Sequence, residues 1–301
     1  MSCSVWCNSA FLDLRNGECK IVDMISSVFR RKATKLVAVV VPMSNRSELT
    51  PEEEISFKHL IYFLGKYDKY LVVPKNLRIN FPGFGIKRFD NKFFGSAAAH
   101  SKLLLSPTFY KAFIDYRFIL IYHLDALVFS DQLTQWCEMD FDFIGAPWIK
   151  YEGAPYSGMA SFEGKVGNGG FSLRKTGSFL KVINSSKYYV DPVTYRKTWC
   201  APKPKYLQWL NLPKKFLKCL GVRNNARWEM CRYRKPEERF WANRAQHYYP
   251  EFKIAPLQTA LGFAFECAPR LCFEKNNCTV PFGCHAWQEY DREFWKPYLL
   301  E

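Results

Sequence analysis

The chain has 301 residues, 48% of them hydrophobic, and carries 43 basic against 28 acidic side chains for a formal net charge of +15. This length and apolar share provide a sizeable core and exclude disorder as the main state. The positive charge points to polyanionic partners, either nucleic acid, a phosphate-bearing donor or an anionic membrane surface.

Residues 1–34 read as an N-terminal appendage ending in the basic run Arg30-Arg31-Lys32. The start lacks a basic segment followed by a long apolar run, so no signal peptide is expected and the chain reads as cytoplasmic or peripheral to a membrane. No stretch reaches the roughly 18 apolar residues of a membrane span, so no transmembrane helix is expected either.

The core is expected to occupy residues 35–301 and to open with a strand, Lys35-Leu-Val-Ala-Val-Val-Val41. A helix should follow from Thr50 to about Lys66, with Thr50 as N-cap, Pro51 in its first turn and Glu52, Glu53 and Glu54 at its positive end. Lys69–Pro74 reads as a second strand, completing a strand–helix–strand unit of the kind that builds parallel sheets. Further helices are expected over Ser96–Leu105 and from Pro107 onward.

Arg117–Phe129 is an apolar and aromatic run with one acid, Asp125, near its end. A short run of this kind fits a central strand of a parallel sheet, whose ligands gather at the carboxyl ends of the strands. An ionised carboxylate is expensive to bury without a partner, which makes Asp125 a candidate ligand or metal contact. Asp142–Trp148 reads as another short strand, and the Gly, Ser and Pro content of residues 151–164 predicts a loop flanked by Trp148, Tyr151 and Tyr156.

In Val166–Arg174, Gly167, Gly169 and Gly170 surround Asn168. Such glycines let backbone approach a ligand closely, or they form a hairpin or bulge. No P-loop and no G-x-G-x-x-G after the first strand is present.

A basic insert covers about 196–235, where Glu229 is the single acid; its charges suit either a solvated face or a polyanion. Glu237 and Glu238 then sit at a helix start, where carboxylates favour the dipole without any catalysis. His59 and His247 fall in helical stretches and read as packing or surface residues. The eleven cysteines are expected to be free thiols in a chain of this length, and Cys267, Cys272, Cys278 and Cys284 lack the C-x-x-C spacing of structural zinc.

Taken in order, the first strand, Ser101-Lys102-Leu-Leu-Leu, Leu-Ile-Tyr-His-Leu-Asp125-Ala-Leu-Val-Phe, Ile-Gly-Ala-Pro-Trp148, Gly-Asn168-Gly-Gly-Phe-Ser-Leu-Arg and Phe-Gly-Cys-His285-Ala-Trp resemble a domain-of-unknown-function family of glycosyltransferase-like proteins. That family is in turn similar to nucleotide-sugar glycosyltransferases of the GT-A fold. The resemblance covers about Lys35 to Trp287. It implies an α/β, GT-A-like (Rossmann-like) fold with a mostly parallel central sheet flanked by helices and interrupted by the basic insert.

The resemblance also implies roles residue by residue. Asp125 matches the first carboxylate of an Asp-x-Asp motif that holds Mn or Mg on the donor diphosphate. Leu127 replaces the second carboxylate, leaving His123 or the late His285 to complete the ligand set. Lys102 matches a basic donor contact, and Asn168, Gly169 and Gly170 lie on the donor side. Glu238 matches a late acidic motif and would be the general base of an inverting reaction. The loop between Lys150 and Lys165 would close over the donor.

The reading favoured is therefore a metal-dependent enzyme that moves a sugar from a nucleotide-sugar donor to an acceptor, either a surface glycan intermediate or a modified nucleic-acid base. The alternative is a non-catalytic nucleic-acid-binding protein on a degenerate transferase scaffold.

Overall fold

The computed structural model describes residues 33–43, 46, 48–151, 160–195, 197, 198, 204 and 212–300. Most of the N-terminal appendage, loop residues 152–159 with Tyr156, and residues 196, 199–203 and 205–211 of the basic insert lie outside the described residues.

In chain order the elements are β1 (Lys35–Pro42), α1 (Pro51–Leu64), β2 (Asp68–Pro74), β3 (Gly85–Phe89), α2 (Ala97–Leu104), α3 (Pro107–Lys111), β4 (Tyr116–Tyr122) and β5 (Leu127–Val128). They continue with α4 (Leu133–Glu138), β6 (Phe143–Gly145), β7 (Pro147–Tyr151), β8 (Ala160–Val166), β9 (Phe171–Lys175), α5 (Thr176–Ile183), α6 (Pro192–Tyr195) and α7 (Leu212–Cys219). The last are α8 (Ala226–Arg232), α9 (Glu237–Tyr248), α10 (Leu257–Phe263), β10 (Ala264–Phe265), α11 (Pro269–Lys275), β11 (Gly283–Cys284) and α12 (Arg292–Trp295).

The central sheet has the order β3-β2-β1-β4-β9-β6. β3, β2, β1 and β4 are mutually parallel, and β9 runs antiparallel to both β4 and β6. The α/β class and a mostly parallel sheet flanked by helices thus hold, with one reversed strand.

Side chains alternate across the pleat. Val37, Val39 and Val41 of β1 and Phe118, Leu120 and Tyr122 of β4 enter one apolar layer with Leu60 and Leu64 of α1 and Trp136 of α4. Ala38, Val40, Ile119 and Ile121 enter the opposite layer, where Phe109 and Tyr110 of α3, Phe179 of α5 and Phe240 and Trp241 of α9 pack. α1 begins as expected: the Thr50 side chain accepts from the Glu53 N–H while the Glu53 carboxylate accepts from the Thr50 N–H.

Two sequence expectations change. The Arg117–Phe129 run is not one strand, because β4 stops at Tyr122 and the chain turns through His123–Asp125. The Tyr122 hydroxyl and Ser56 Oγ of α1 both donate to the Ala126 carbonyl, at 3.0 and 2.5 Å, and hold the turn against α1. β5 then leaves the central sheet and pairs antiparallel with β11 in a small sheet of order β10-β11-β5.

The segment read as a loop from residue 151 to 164 is the second. Tyr151 pairs with Ala160, so β7 and β8 form an antiparallel ribbon. Among the described residues no helix is long and apolar enough to cross a membrane.

Candidate metal centre

The small sheet brings two distant parts of the chain together. The β5–β11 register sets Leu127 opposite Cys284, and the Trp287 N–H donates to the Asp125 carbonyl at 3.2 Å. Asp125, just before β5, and His285, just after β11, are thereby side by side beyond the carboxyl end of β4. Asp125 Oδ1 and His285 Nε2 lie 3.2 Å apart, yet neither atom finds an aligned hydrogen-bond partner although both are shielded from solvent.

His123 completes the group. One ligand atom from each of His123, Asp125 and His285 lies within 4.8 Å of the others. Asp125 and His285 attract as an ion pair, but their poorly aligned atoms do not complete each other's hydrogen bonds. A carboxylate and two imidazoles suit a divalent cation, with the imidazoles tilting preference toward transition metals such as Mn.

The surrounding groups prepare these side chains. The imidazole of His285 presents Nδ1 to Glu266 Oε1 at 2.9 Å, and Glu266 also accepts from the Asn168 amide. A carboxylate on the far nitrogen fixes the ring and raises its basicity as a ligand. Burial alone would depress the His285 pKa, but Asp125 and Glu266 on its two nitrogens outweigh burial and raise it to about 10. Burial opposes ionisation of Asp125, yet His285 holds its pKa down at about 2.

His123 is the opposite case: burial, then His100 and His285, keep its pKa well below the ordinary value, so its imidazole is neutral and able to ligate. His100 Nε2 lies 3.2 Å from His123 Nε2.

The Asn168 segment forms one wall. Asn168 Oδ1 accepts from the Gly170 N–H at 2.9 Å, and the Gly170 carbonyl accepts from the His123 N–H at 2.8 Å. His285 packs so closely on Gly170 that a Cβ there would overlap its Nε2. Gly170→Ala should therefore displace the imidazole and weaken Mn binding about 10- to 100-fold, on the scale of other ligand-orienting changes. Calorimetric Mn titration of a variant with unchanged circular dichroism measures this.

Gly169 faces the start of α9. A Cβ at Gly169 would meet Glu237 Oε1 at 2.9 Å and Glu238 Oε2 at 3.3 Å. The two acids differ in state. Glu237 is buried and bound by Arg174, whose Nη1 donates to Oε2 at 3.1 Å and Nη2 to Oε1 at 2.6 Å. Glu238 has no such cation among the described residues; burial, then the neighbouring Glu237 charge, push its pKa up to about 7.

The structure thus gathers Asp125, His285, Asn168, Gly169, Gly170 and Glu238 in one region. It does not bring Lys102 there: its ammonium donates to the carbonyls of Met230, Cys231 and Tyr233 at 3.1, 2.9 and 2.5 Å and caps the end of α8. Glu266, His100 and Arg174 were not anticipated from sequence. Glu266 follows β10 as His285 follows β11, but pairing between two-residue strands leaves no readable pattern.

A cleft of about 990 Å³ opens beside the cluster, lined by Met43 after β1, Glu52 and Glu53 of α1, the Ser96 N-cap of α2, His100 and Asp125. A family model described as protein of unknown function (DUF5672) matches residues 83–285, well over half the chain. The chain belongs to this family. The matched span runs from just before β3 to His285 itself, so it includes every member of the cluster and both acids at the start of α9. No curated protein matches the sequence.

Proposed function

We propose that the protein is a metal-dependent glycosyltransferase of GT-A-like fold that takes its sugar from a nucleotide-sugar donor. The observation that carries this reading is the convergence of the poorly aligned Asp125–His285 pair with a neutral His123 at the mouth of a cleft large enough for a nucleotide sugar. Asp125, His123 and His285 would hold the cation, Mn before Mg given the imidazoles. When bound, it supplies Lewis-acid neutralisation of the diphosphate leaving group.

Within this reading each side chain has a task. Glu266 and Gly170 fix the His285 ring from two sides. Asn168 ties Glu266 to the Gly170 backbone, so the wall and the ligand set move together. Arg174 neutralises Glu237 and leaves Glu238 as the acid able to take a proton from the acceptor hydroxyl at its Oε atoms. A base with a pKa of about 7 is matched to neutral pH.

The test is release of nucleoside diphosphate from a panel of nucleotide sugars with Mn, in wild type and Glu238→Gln. Wild-type rate should climb with pH through about 7 as Glu238 loses its proton, and Glu238→Gln should lose about 10²–10⁴-fold.

Stability should move the other way. The raised pKa means native Glu238 keeps its proton above the usual 4.5, so its contribution to stability is present below 4.5 and is lost as pH rises toward 7. Glu238→Gln should therefore melt near wild type at pH 4.5 and above it at pH 8. An inactive variant that is also less stable at pH 8 would contradict the assigned role.

A further inference from the structure

A second cleft, of about 780 Å³, is lined by Arg239, the residue after Glu238, and is not used by the transfer chemistry above. It is bounded by β7 and β8, by α8 and by α9. Six basic side chains line it, Lys165, Arg232, Arg234, Lys235, Arg239 and Arg244, against one acid, Glu229. That acid is spent: Arg244 Nε donates to Oε1 at 2.8 Å and Nη2 to Oε2 at 3.2 Å, and the Tyr248 hydroxyl donates to Oε2 at 2.5 Å. Lys165 donates to Asn243 Oδ1 at 2.6 Å. Arg232, Arg234, Lys235 and Arg239 are exposed and form no ion pair among the described residues.

The aromatic walls explain how so many like charges are held together. The Arg239 guanidinium lies 4.7 Å from the Trp148 ring, and Arg232 and the Lys218 ammonium lie 4.9 and 4.6 Å from the Trp228 ring. Arg244 lies 5.8 Å from Tyr189. Rings that carry cations in this way pre-position planar, multidentate donors for an oxyanion. A surface built to stack nucleic-acid bases would leave its ring faces open.

α9, which carries Glu237 and Glu238 in its first turn, also carries Arg239, Asn243 and Arg244 into this cleft, so the proposed base is the helical neighbour of a cleft-lining arginine. We infer that the cleft binds a phosphate-bearing sugar segment of the acceptor, Arg232 and Arg239 gripping the phosphate. The sugar part of this inference rests on the transferase reading; the phosphate part rests on the cleft alone.

Binding of mannopentaose 6-phosphate to the full chain, measured by calorimetry at 0.1 M salt, tests it. Unphosphorylated mannopentaose, an eight-residue oligothymidylate and phosphatidic acid vesicles are the comparisons. The phosphorylated sugar should bind at least tenfold more tightly than its neutral parent. Affinity should fall at least tenfold in Arg232→Gln/Arg239→Gln and also in Arg234→Gln/Lys235→Gln, whose side chains sit on no ring and are removable without repacking.

The same affinity should persist in Asp125→Ala and without Mn, so a failed transfer assay leaves this site standing. Equal binding of both sugars, tighter binding of the oligothymidylate or the vesicles, or wild-type affinity in both double variants would each overturn the inference.

Discussion

Asp125→Ala is expected to abolish Mn-dependent donor binding and to lower nucleoside diphosphate release by about 10²-fold or more. The substitution removes the one carboxylate of the ligand group and leaves two imidazoles, a weak set for a hard or borderline cation. Its second effect is on the metal-free protein. His285 is held protonated by Asp125 and Glu266, and this contribution to stability is fully present below the ordinary 6.5 and lost as pH rises through about 10.

At pH 7 the metal-free Asp125→Ala protein should therefore melt below wild type, and the difference should vanish above about pH 10. Mn should raise the melting temperature of wild type alone, because binding to the folded state stabilises it. Differential scanning fluorimetry across pH, with and without Mn, reads both effects. A variant that still gains from Mn would place the cation elsewhere.

The largest stability effect should come from Arg174→Ala, with a loss of about 3–5 kcal/mol in urea unfolding. Arg174 is fully buried on β9, and its guanidinium donates to Glu237, to the Tyr110 hydroxyl, to the Gly169 carbonyl and to Ser172 Oγ. Its removal strands the Glu237 carboxylate, which is 2% exposed. It also removes one of the two hydrogen bonds on the Gly169 carbonyl, leaving that from Ser172 Oγ, so the wall beside His285 should loosen and Mn affinity should fall with stability.

Arg174→Met/Glu237→Met should recover most of the lost stability, since an apolar pair of similar volume replaces a buried ion pair at little cost. It should not recover activity, because α9 would begin without its tie to Gly169. Recovery of both would mean that Arg174 contributes packing alone.

The sequence carried the central sheet well. The β1 and β4 runs are apolar from Val37 to Val41 and from Phe118 to Tyr122 because both faces are covered there, and the Thr50–Glu53 capping box announces α1 by local chemistry. Asp125 was visible as a lone acid after such a run. His285, by contrast, was named only through resemblance, since its place depends on β11 pairing with β5 across more than 150 residues.

Glu266 and His100 were not legible for the same reason: each acquires its role from a partner brought by tertiary packing. Lys102 shows the converse. Its motif position suggested a donor contact, while the carbonyls at the end of α8, more than 120 residues on, take its three donors. The division between Glu237 and Glu238 was also hidden, because only the burial of Arg174 decides which of two adjacent acids is neutralised.

The most direct test of the account is calorimetric titration of nucleoside diphosphates into the protein with and without Mn, on wild type and Asp125→Ala in parallel. The account predicts saturable binding of one nucleoside diphosphate that requires Mn and disappears in Asp125→Ala. Binding that is indifferent to both Mn and Asp125, or no binding of any nucleoside diphosphate, would contradict it.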